Sequence, residues 1–299
     1  MDQATLSDRL AASFDDLPEQ LRQAARWVLD HPADVALLTT REQARRAGLM
    51  PATLTRLAQR LGLSGYEELR RLFAVSIRHR PESFHGRAAE LIARRDEEGD
   101  AALAQDMFAA LRDHLGALSS PDSIARLERA AELIAGADRV ICFGLRSAFP
   151  AAFMLDYVRQ LIGEASVLAD AAGGRGIDAL RETGPGDVLF CVSVNPYTRL
   201  TVQAAKFAKA RGARVAAVTD SALSPLAKLA DAVVLARTET PSFFHTMTPA
   251  FAAVECLGAL VAARRGQPAL DALAASETQL AAFDTYLLPP SRSSGRRKP

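Results

Sequence analysis

Five short apolar runs in the second half of the chain set the strongest limit on its fold. They are "RVICFG" (139–144), "ASVLA" (165–169), "DVLFCVSV" (187–194), "ARVAAVT" (213–219) and "AVVLAR" (232–237). Runs of this length, rich in β-branched residues and apolar nearly throughout, suit strands buried on both faces. Helical stretches separate most of them, such as 199–211, and supply the covering layers. This half is therefore expected to be an α/β domain, a parallel sheet in a three-layer α/β/α arrangement. Residues 1–80 differ, with helical periodicity and no strand candidate. Between the two lies a polar, charged stretch, "RHRPESFHGRAAELIARRDEEGD", ending in Asp100 just after Gly99. The expected organisation is an all-helical domain over 1–80, a partly helical connector over 81–124, an α/β domain over 125–268, and a C-terminal helix with a disordered tail over 269–299. The tail is "SRSSGRRKP", too polar to bury.

Within the helical region, "TTREQARRAGLMPATLTRLAQRLGLSGYEELRRLF" carries a punctuated pattern. Thr39 or Thr40 can cap a short helix over 41–47, and Gly48 suits its left-handed exit. Pro51 fits the first position of the next helix, where its missing N–H costs nothing. Leu54, Leu57, Ala58 and Leu61 then fall at i, i+3, i+4, i+7 and form one buried stripe. Gly62 ends that helix, and Ser64 with Glu67 has the spacing of a capping box for a third. Thr53, Thr55, Arg56, Gln59 and Arg60 are expected on the outward face. Two short helices joined at a glycine, the second with a Thr/Arg face, are the pattern of a helix-turn-helix, whose second helix enters the major groove. An ordinary helical hairpin with a solvated face has the same periodicity.

Charge points to the same place. The whole chain is +1, so it has no overall attraction for nucleic acid. Between 41 and 60, however, five arginines (Arg41, Arg45, Arg46, Arg56 and Arg60) face one glutamate. Candidate DNA contacts are Thr40, Arg41, Arg45, Pro51, Thr53, Thr55, Arg56 and Arg60. Of the 36 basic residues, 32 are Arg, which favours bidentate contacts to phosphate and base edges, although a GC-rich genome gives the same bias. Cys142, Cys191 and Cys256 lie far apart without metal-binding or disulfide spacing, so no metal site and no cofactor are expected. The first residues, "MDQATLSDRL", lack a basic stretch leading into an apolar one, and no apolar run reaches membrane-spanning length. A cytoplasmic location and no membrane partner are expected.

The segment "REQARRAGLMPATLTRLAQRLGLSGYEELRRL" resembles the N-terminal helix-turn-helix of the RpiR-type (MurR/RpiR) transcriptional regulators. Their pattern G-x-S-P-A-T-x-x-R, a leucine-glycine pair and then G-[FY]-x-E-[LF] is matched by Gly48, Pro51, Ala52, Thr53, Arg56, Leu61, Gly62, Gly65, Tyr66, Glu68 and Leu69. Met50 stands where the family has a capping Ser. Upstream, "LPEQLRQAARWVLDHPADVALLT" resembles the family's leading helix, with Trp27 as core and His31 as an exposed helix end.

The second half resembles that family's other domain, the sugar isomerase (SIS) domain. The resemblance implies that phosphosugars bind at two loops following parallel strands. The first loop, G-x-G-S-S in the family, is here Gly144-Leu145-Arg146-Ser147-Ala148, so Arg146 replaces a glycine. The second, S-x-S-G-x-T, is here Ser193-Val194-Asn195-Pro196-Tyr197-Thr198. The segment "VAAVTDSALSPLAKLAD" matches the next strand and its S-P-L-A-x-x-A-D through Ser224, Pro225, Leu226 and Asp231. Candidate ligand residues are therefore Arg146, Ser147, Ser193, Asn195, Tyr197, Thr198 and Ser224, with Arg146 as a guanidinium clamp for an anion. Ordinary strand-end and N-cap work is the other reading of Ser193 and Thr198.

Together the resemblances imply a regulator that binds a double-stranded DNA operator, senses a small anionic metabolite such as a phosphosugar, and acts as a homodimer or homotetramer. No catalytic residue is assigned. The competing reading is a phosphosugar isomerase with an accessory helical module, for which Glu239, His245 and Glu255 are the candidate bases, none within a recognisable catalytic motif. The apolar helix at 247–265 is the expected candidate for a subunit contact.

Overall fold

The computed structural model describes Leu6, Leu10, Phe14 and residues 17–78, 84–170 and 175–287. The expected tail "SRSSGRRKP" lies outside the described residues, as does part of the charged stretch that opens the connector. The chain forms two compact units. One contains residues 1–119 together with 219–228 and 235–249, the other residues 120–218, 229–234 and 250–299.

Between residues 17 and 78 the first unit forms five helices: α1 (Glu19–Asp30), α2 (Pro32–Leu37), α3 (Thr40–Ala47), α4 (Pro51–Arg60) and α5 (Tyr66–Arg78). Apolar residues from α1, α4 and α5, such as Ala24, Val28, Leu54, Leu57, Leu69 and Phe73, close one core. Burial of these side chains, at about 1.5–3 kcal/mol for each large one, is what holds such short helices. A polar pair lies inside that core. Tyr66 Oη donates to Gln43 Oε1 at 2.6 Å, and Gln43 Nε2 donates to the carbonyls of Val35 and Leu38 at 3.0 and 2.9 Å. The pair ties α3 to α5 and to the end of α2, and burial pushes the Tyr66 phenol well above its ordinary range.

A long helical segment, α6 (Phe84–Leu118), follows. It is broken at Gly99, whose φ of 83° and ψ of 167° no helix accommodates. The chain reverses at the break, since Arg94 reaches both Glu98 and Asp106.

In the second unit, α7 (Pro121–Ala135) starts on Ser120, whose hydroxyl accepts from Ser123 N. The sheet expected from the apolar runs is present. Strands β1 (Arg139–Gly144), β2 (Ser166–Leu168), β3 (Asp187–Val192), β4 (Arg214–Thr219) and β5 (Ala232–Leu235) lie in the order β2-β1-β3-β4-β5. The pairings β1–β2, β1–β3 and β3–β4 are parallel, with Val140 opposite both Ser166 and Val188. Every residue of β3 is buried, which accounts for its run without alternation. The covering helices are α8 (Phe149–Leu161), α9 (Arg199–Ala210), α10 (Thr248–Arg265) and α11 (Gln267–Ala282).

Two details lock these layers. Arg159 on α8 has no exposed side-chain surface and donates to the carbonyls of Ile134 and Ala165 and to Glu164 Oε2, each at 3.2 Å. A Cβ at Gly258 of α10 would lie 3.0 Å from Val158 Cγ1 of α8, so the glycine lets those helices approach. Val254, Leu257 and Val261 of α10 are fully buried, leaving Phe251 and Leu260 half-exposed for any contact with a second subunit.

Candidate functional site

The helix-turn-helix is built as its punctuation demands. Thr39 is the cap of α3, its hydroxyl accepting from Glu42 N at 3.3 Å, and the helix begins at Thr40. Gly48 ends it at φ 67°, ψ 33°, left-handed backbone that glycine adopts without strain. Pro51 opens α4 after Met50, which offers no side-chain cap. The third helix differs from expectation. Since α5 starts at Tyr66, the carboxylate in reach of Ser64 is Glu68, which accepts from Ser64 N at 2.8 Å and Ser64 Oγ at 2.7 Å, while Glu67 pairs with Arg70.

The outward face of α4 is narrower than the periodicity suggests. Thr53 is buried, at 5% exposure, because it falls one turn before Leu57 and joins the packed stripe. Its side chain therefore does not face outward with the other candidates. Thr55 is half-exposed and bonds back to the Pro51 carbonyl at 3.3 Å. Arg56, Gln59 and Arg60 are exposed.

The five arginines also separate. Arg45 grips Glu42 through Nε and Nη2 at 2.9 and 2.6 Å, and Arg46 reaches Glu42 at 2.9 Å and Asp34 at 3.3 Å. The two guanidiniums hold the Glu42 carboxyl down at about 2. Arg41, Arg56 and Arg60 are exposed and make no ion pair among the described residues. Thr40 is half-exposed and Pro51 exposed at their helix starts. The cations available to a phosphate or a base edge are thus Arg41, Arg56 and Arg60, with Arg45 already engaged.

In the second unit, strand order locates the other candidate site. From β1 the chain moves to one side for β2 and to the other for β3, so β1 and β3 flank the switch point where open parallel sheets bind ligands, beyond the carboxyl ends of their strands. The loops leaving β1 and β3 are 144–148 and 193–198. In the first, a Cβ on Gly144 would lie 2.6 Å from the Ala148 carbonyl, so only glycine permits the tight turn. Residues 146–148 form a single 3₁₀ turn, and α8 starts at Phe149, two residues later than a helix opening on Ser147 would. Arg146, which replaces the family's glycine, has left-handed backbone at φ 57°. For a side-chain-bearing residue that costs about 1–2 kcal/mol. Its guanidinium is exposed and unpaired among the described residues.

In the second loop, Ser193 is buried and its Oγ accepts from Thr198 N at 3.2 Å, spanning the loop ahead of α9. Thr198 is the residue before α9 and makes no side-chain cap bond. Asn195 is exposed, Pro196 follows it through a cis peptide bond, and Tyr197 and Thr198 are half-exposed. Ser224, which belongs to the other unit, is buried, and its Oγ accepts from Ala227 N at 3.0 Å. Ser193 and Ser224 thus shape their loops. One residue that periodicity did not single out is Arg199, exposed at the first position of α9 and without an ion pair among the described residues.

Residues 5–79 match the family model for the helix-turn-helix domain of the rpiR family, and residues 133–260 match the SIS domain. The chain belongs to the RpiR-type transcriptional regulators. Among similar proteins, the HTH-type transcriptional regulator HexR of Pseudomonas aeruginosa is 27% identical over 232 residues, 75% of each chain. An uncharacterised HTH-type transcriptional regulator of Caldanaerobacter subterraneus subsp. tengcongensis is 25% identical over 221 residues, 73% of this chain and 75% of its own. Of solved structures, the sugar isomerase domain of an RpiR transcription factor from Sphaerobacter thermophilus is 29% identical at a TM-score of 0.53, covering 60% of this chain and 97% of that one. The Vibrio vulnificus NanR protein, complexed with ManNAc-6P, has the same TM-score at 23% identity over 93% of this chain and 98% of its own, and shares the fold.

The chemistry of this RpiR-type chain has few other centres. Among the described residues no group of three His, Cys, Asp or Glu side chains is placed to hold a metal ion. Cys142 and Cys191 are buried, and burial pushes the Cys142 thiol up to about 12. Of the candidate isomerase bases, Glu239 and His245 belong to the first unit and Glu255 to the second. No described helix is long and apolar enough to cross a membrane.

Proposed function

We propose that this regulator reads a double-stranded operator through the exposed face of α4 and answers to a small anionic metabolite, a phosphosugar or another carbohydrate derivative. The observation that carries the reading is the pairing, in one chain, of a capped helix-turn-helix with a sheet whose switch point is flanked by the loops at 144–148 and 193–198. Arg56 and Arg60 are proposed as groove and phosphate contacts, Arg41 as a phosphate contact, and Thr40, Pro51 and Thr55 as helix-start groups that approach the backbone. Arg45, held by Glu42, is proposed only as a source of local field.

At the ligand loops, Arg146 is the proposed clamp, with Ser147, Asn195, Tyr197 and Thr198 as polar neighbours of the bound anion. An exposed guanidinium in strained backbone supports this, since such strain collects at functional sites. NanR, which shares the fold, holds a phosphorylated sugar. We further propose a homodimer or homotetramer working in the cytoplasm, because one helix-turn-helix covers too little DNA for tight selection and two-fold dimers solve this by spanning half-sites. The proposed role is regulation without turnover. The test is a gel-shift at physiological salt run beside assays of hexose phosphate isomerisation. Retention of a discrete DNA complex with no turnover is expected; turnover without DNA retention would favour the isomerase.

A further inference from the structure

The connector carries an apolar face that its own chain leaves open. Beyond the break at Gly99, α6 continues to Leu118, and no residue of the whole 35-residue segment is buried. In this second arm Ala101, Ala104, Phe108, Leu111, Leu115 and Leu118 follow one another at alternating spacings of three and four. That is the repeat of a coiled-coil seam, with Ala101, Phe108 and Leu115 at its a positions and Ala104, Leu111 and Leu118 at its d positions. Phe108 is 72% exposed and Leu115 40%, both alanines are exposed, and Leu111 and Leu118 are half-buried.

The neighbouring stripe of the same arm is the one its own chain uses. Leu103, Met107, Ala110, His114 and Ala117 are half-buried, and His114 Nε2 makes a hydrogen bond with the Glu239 carbonyl. An arm held along one side, with an apolar seam open beside it, is shaped to receive another helix.

Side-chain sizes along the seam point to which helix that is. In an antiparallel pair, a positions face d positions. Two copies of this arm, crossing between Ala109 and Ala110, would set Ala101 against Leu118, Ala104 against Leu115 and Phe108 against Leu111 of the second copy. A two-fold axis repeats each of these contacts. Each alanine then meets a leucine, and layers of small against large interdigitate without voids. A parallel pair would instead stack alanine on alanine at one end and Phe108 on its own copy. Charge agrees with the antiparallel choice. Asp106 and Asp113 fall on the side farthest from the seam, and Arg112 at its flank lies beside Gln105 of the second copy, so no like charges oppose there.

We propose that α6 of two copies pair antiparallel along this seam, so that the connector itself holds two chains together. This rests on the oligomeric reading of the function and names the contact that reading needs.

The test uses the full chain. Analytical ultracentrifugation compares the wild type with Phe108→Glu, a change at an exposed position that circular dichroism should show to leave the single chain folded. The wild type is expected to self-associate at micromolar concentration, and Phe108→Glu to weaken one association step at least about a hundredfold, since each pair loses two buried rings and must bury two charges. A second measurement reads direction. On oxidation, the double variant Ala104→Cys, Leu115→Cys should cross-link between copies. Ala104→Cys alone should not, because the two copies of that position lie about 16 Å apart along the pair at about 1.5 Å per residue, beyond the reach of a disulfide. A self-associating wild type whose assembly is unchanged by Phe108→Glu, or a double variant that does not cross-link, would overturn the seam and leave the oligomeric reading standing. Cross-linking through Ala104→Cys alone would overturn the antiparallel pairing. A wild type that stays monomeric would defeat the oligomeric reading and the seam together.

Discussion

On α4, Thr53 and Arg56 are separated by a single turn yet have opposite surroundings, one packed and one exposed. Thr53→Val keeps the shape and removes only a buried hydroxyl, so operator affinity should stay within about twofold. Arg56→Ala should cost about 1–3 kcal/mol of specific binding, the worth of one good base contact. Competition gel-shifts on the same operator check both, and a larger loss for Thr53→Val would place Thr53 in the groove after all. The left-handed Arg146 gives a prediction with two opposed signs. Arg146→Gly relieves about 1 kcal/mol of backbone strain and should raise the melting temperature without ligand. It should also weaken the response to the ligand, by about 1.5–3 kcal/mol if the guanidinium makes a charged hydrogen bond. A variant that is both less stable and equally responsive would return Arg146 to a structural role. Of these residues, periodicity located Arg56 correctly. It misplaced Thr53 because a 3.6-residue repeat leaves stripe edges undecided, and a short polar β-branched side chain fits a core margin as well as a surface.

At the scale of elements, the local signals were legible where chain chemistry alone decides them. Gly48 at a left-handed exit, Pro51 at a helix start, and the strands β1, β3 and β4 buried on both faces each follow from backbone sterics or apolar patterning. What could not be read were pairings set by three-dimensional approach. The choice of Glu68 over Glu67 by Ser64 depends on which residue starts α5, and the Gln43–Tyr66 bond joins positions 23 apart in sequence. The clustering of α6 with the segments after β4 and β5 is similarly invisible to any local window. The grip of α3 on its own arginines has a measurable consequence. With its carboxyl held at about 2, Glu42 stays ionised and paired across the physiological range, and its contribution is lost only as pH falls from about 4.5 towards 2. Glu42→Gln should therefore release Arg45 and Arg46 to phosphate at neutral pH. The slope of log K against log salt for nonspecific DNA should steepen by about one to two, near 0.9 per added phosphate contact. An unchanged slope would mean that these arginines point away from the duplex.

For the whole molecule, the central claim is that a chain with no net electrostatic bias selects a particular duplex through one small face. Two copies presenting α4 to successive turns of the major groove should read a site with two-fold symmetry, its half-sites about 10 base pairs or a multiple apart. Affinity should then depend on protein concentration through assembly as well as through binding. Most apolar residues of α10 are already buried within the chain. Exposed aromatics on α8, Phe153 at 48% and Tyr157 at 43%, leave that helix more surface for such an assembly. The most direct measurement is selection of binding sequences from a randomised double-stranded DNA pool, run in parallel with the wild-type chain and with Arg56→Ala. Enrichment of one two-fold symmetric sequence by the wild type, lost or relaxed at the Arg56-contacted base pair in the variant, is the expected result. No enriched sequence, or the same sequence enriched equally by both proteins, would contradict the assignment of α4 as the reading helix.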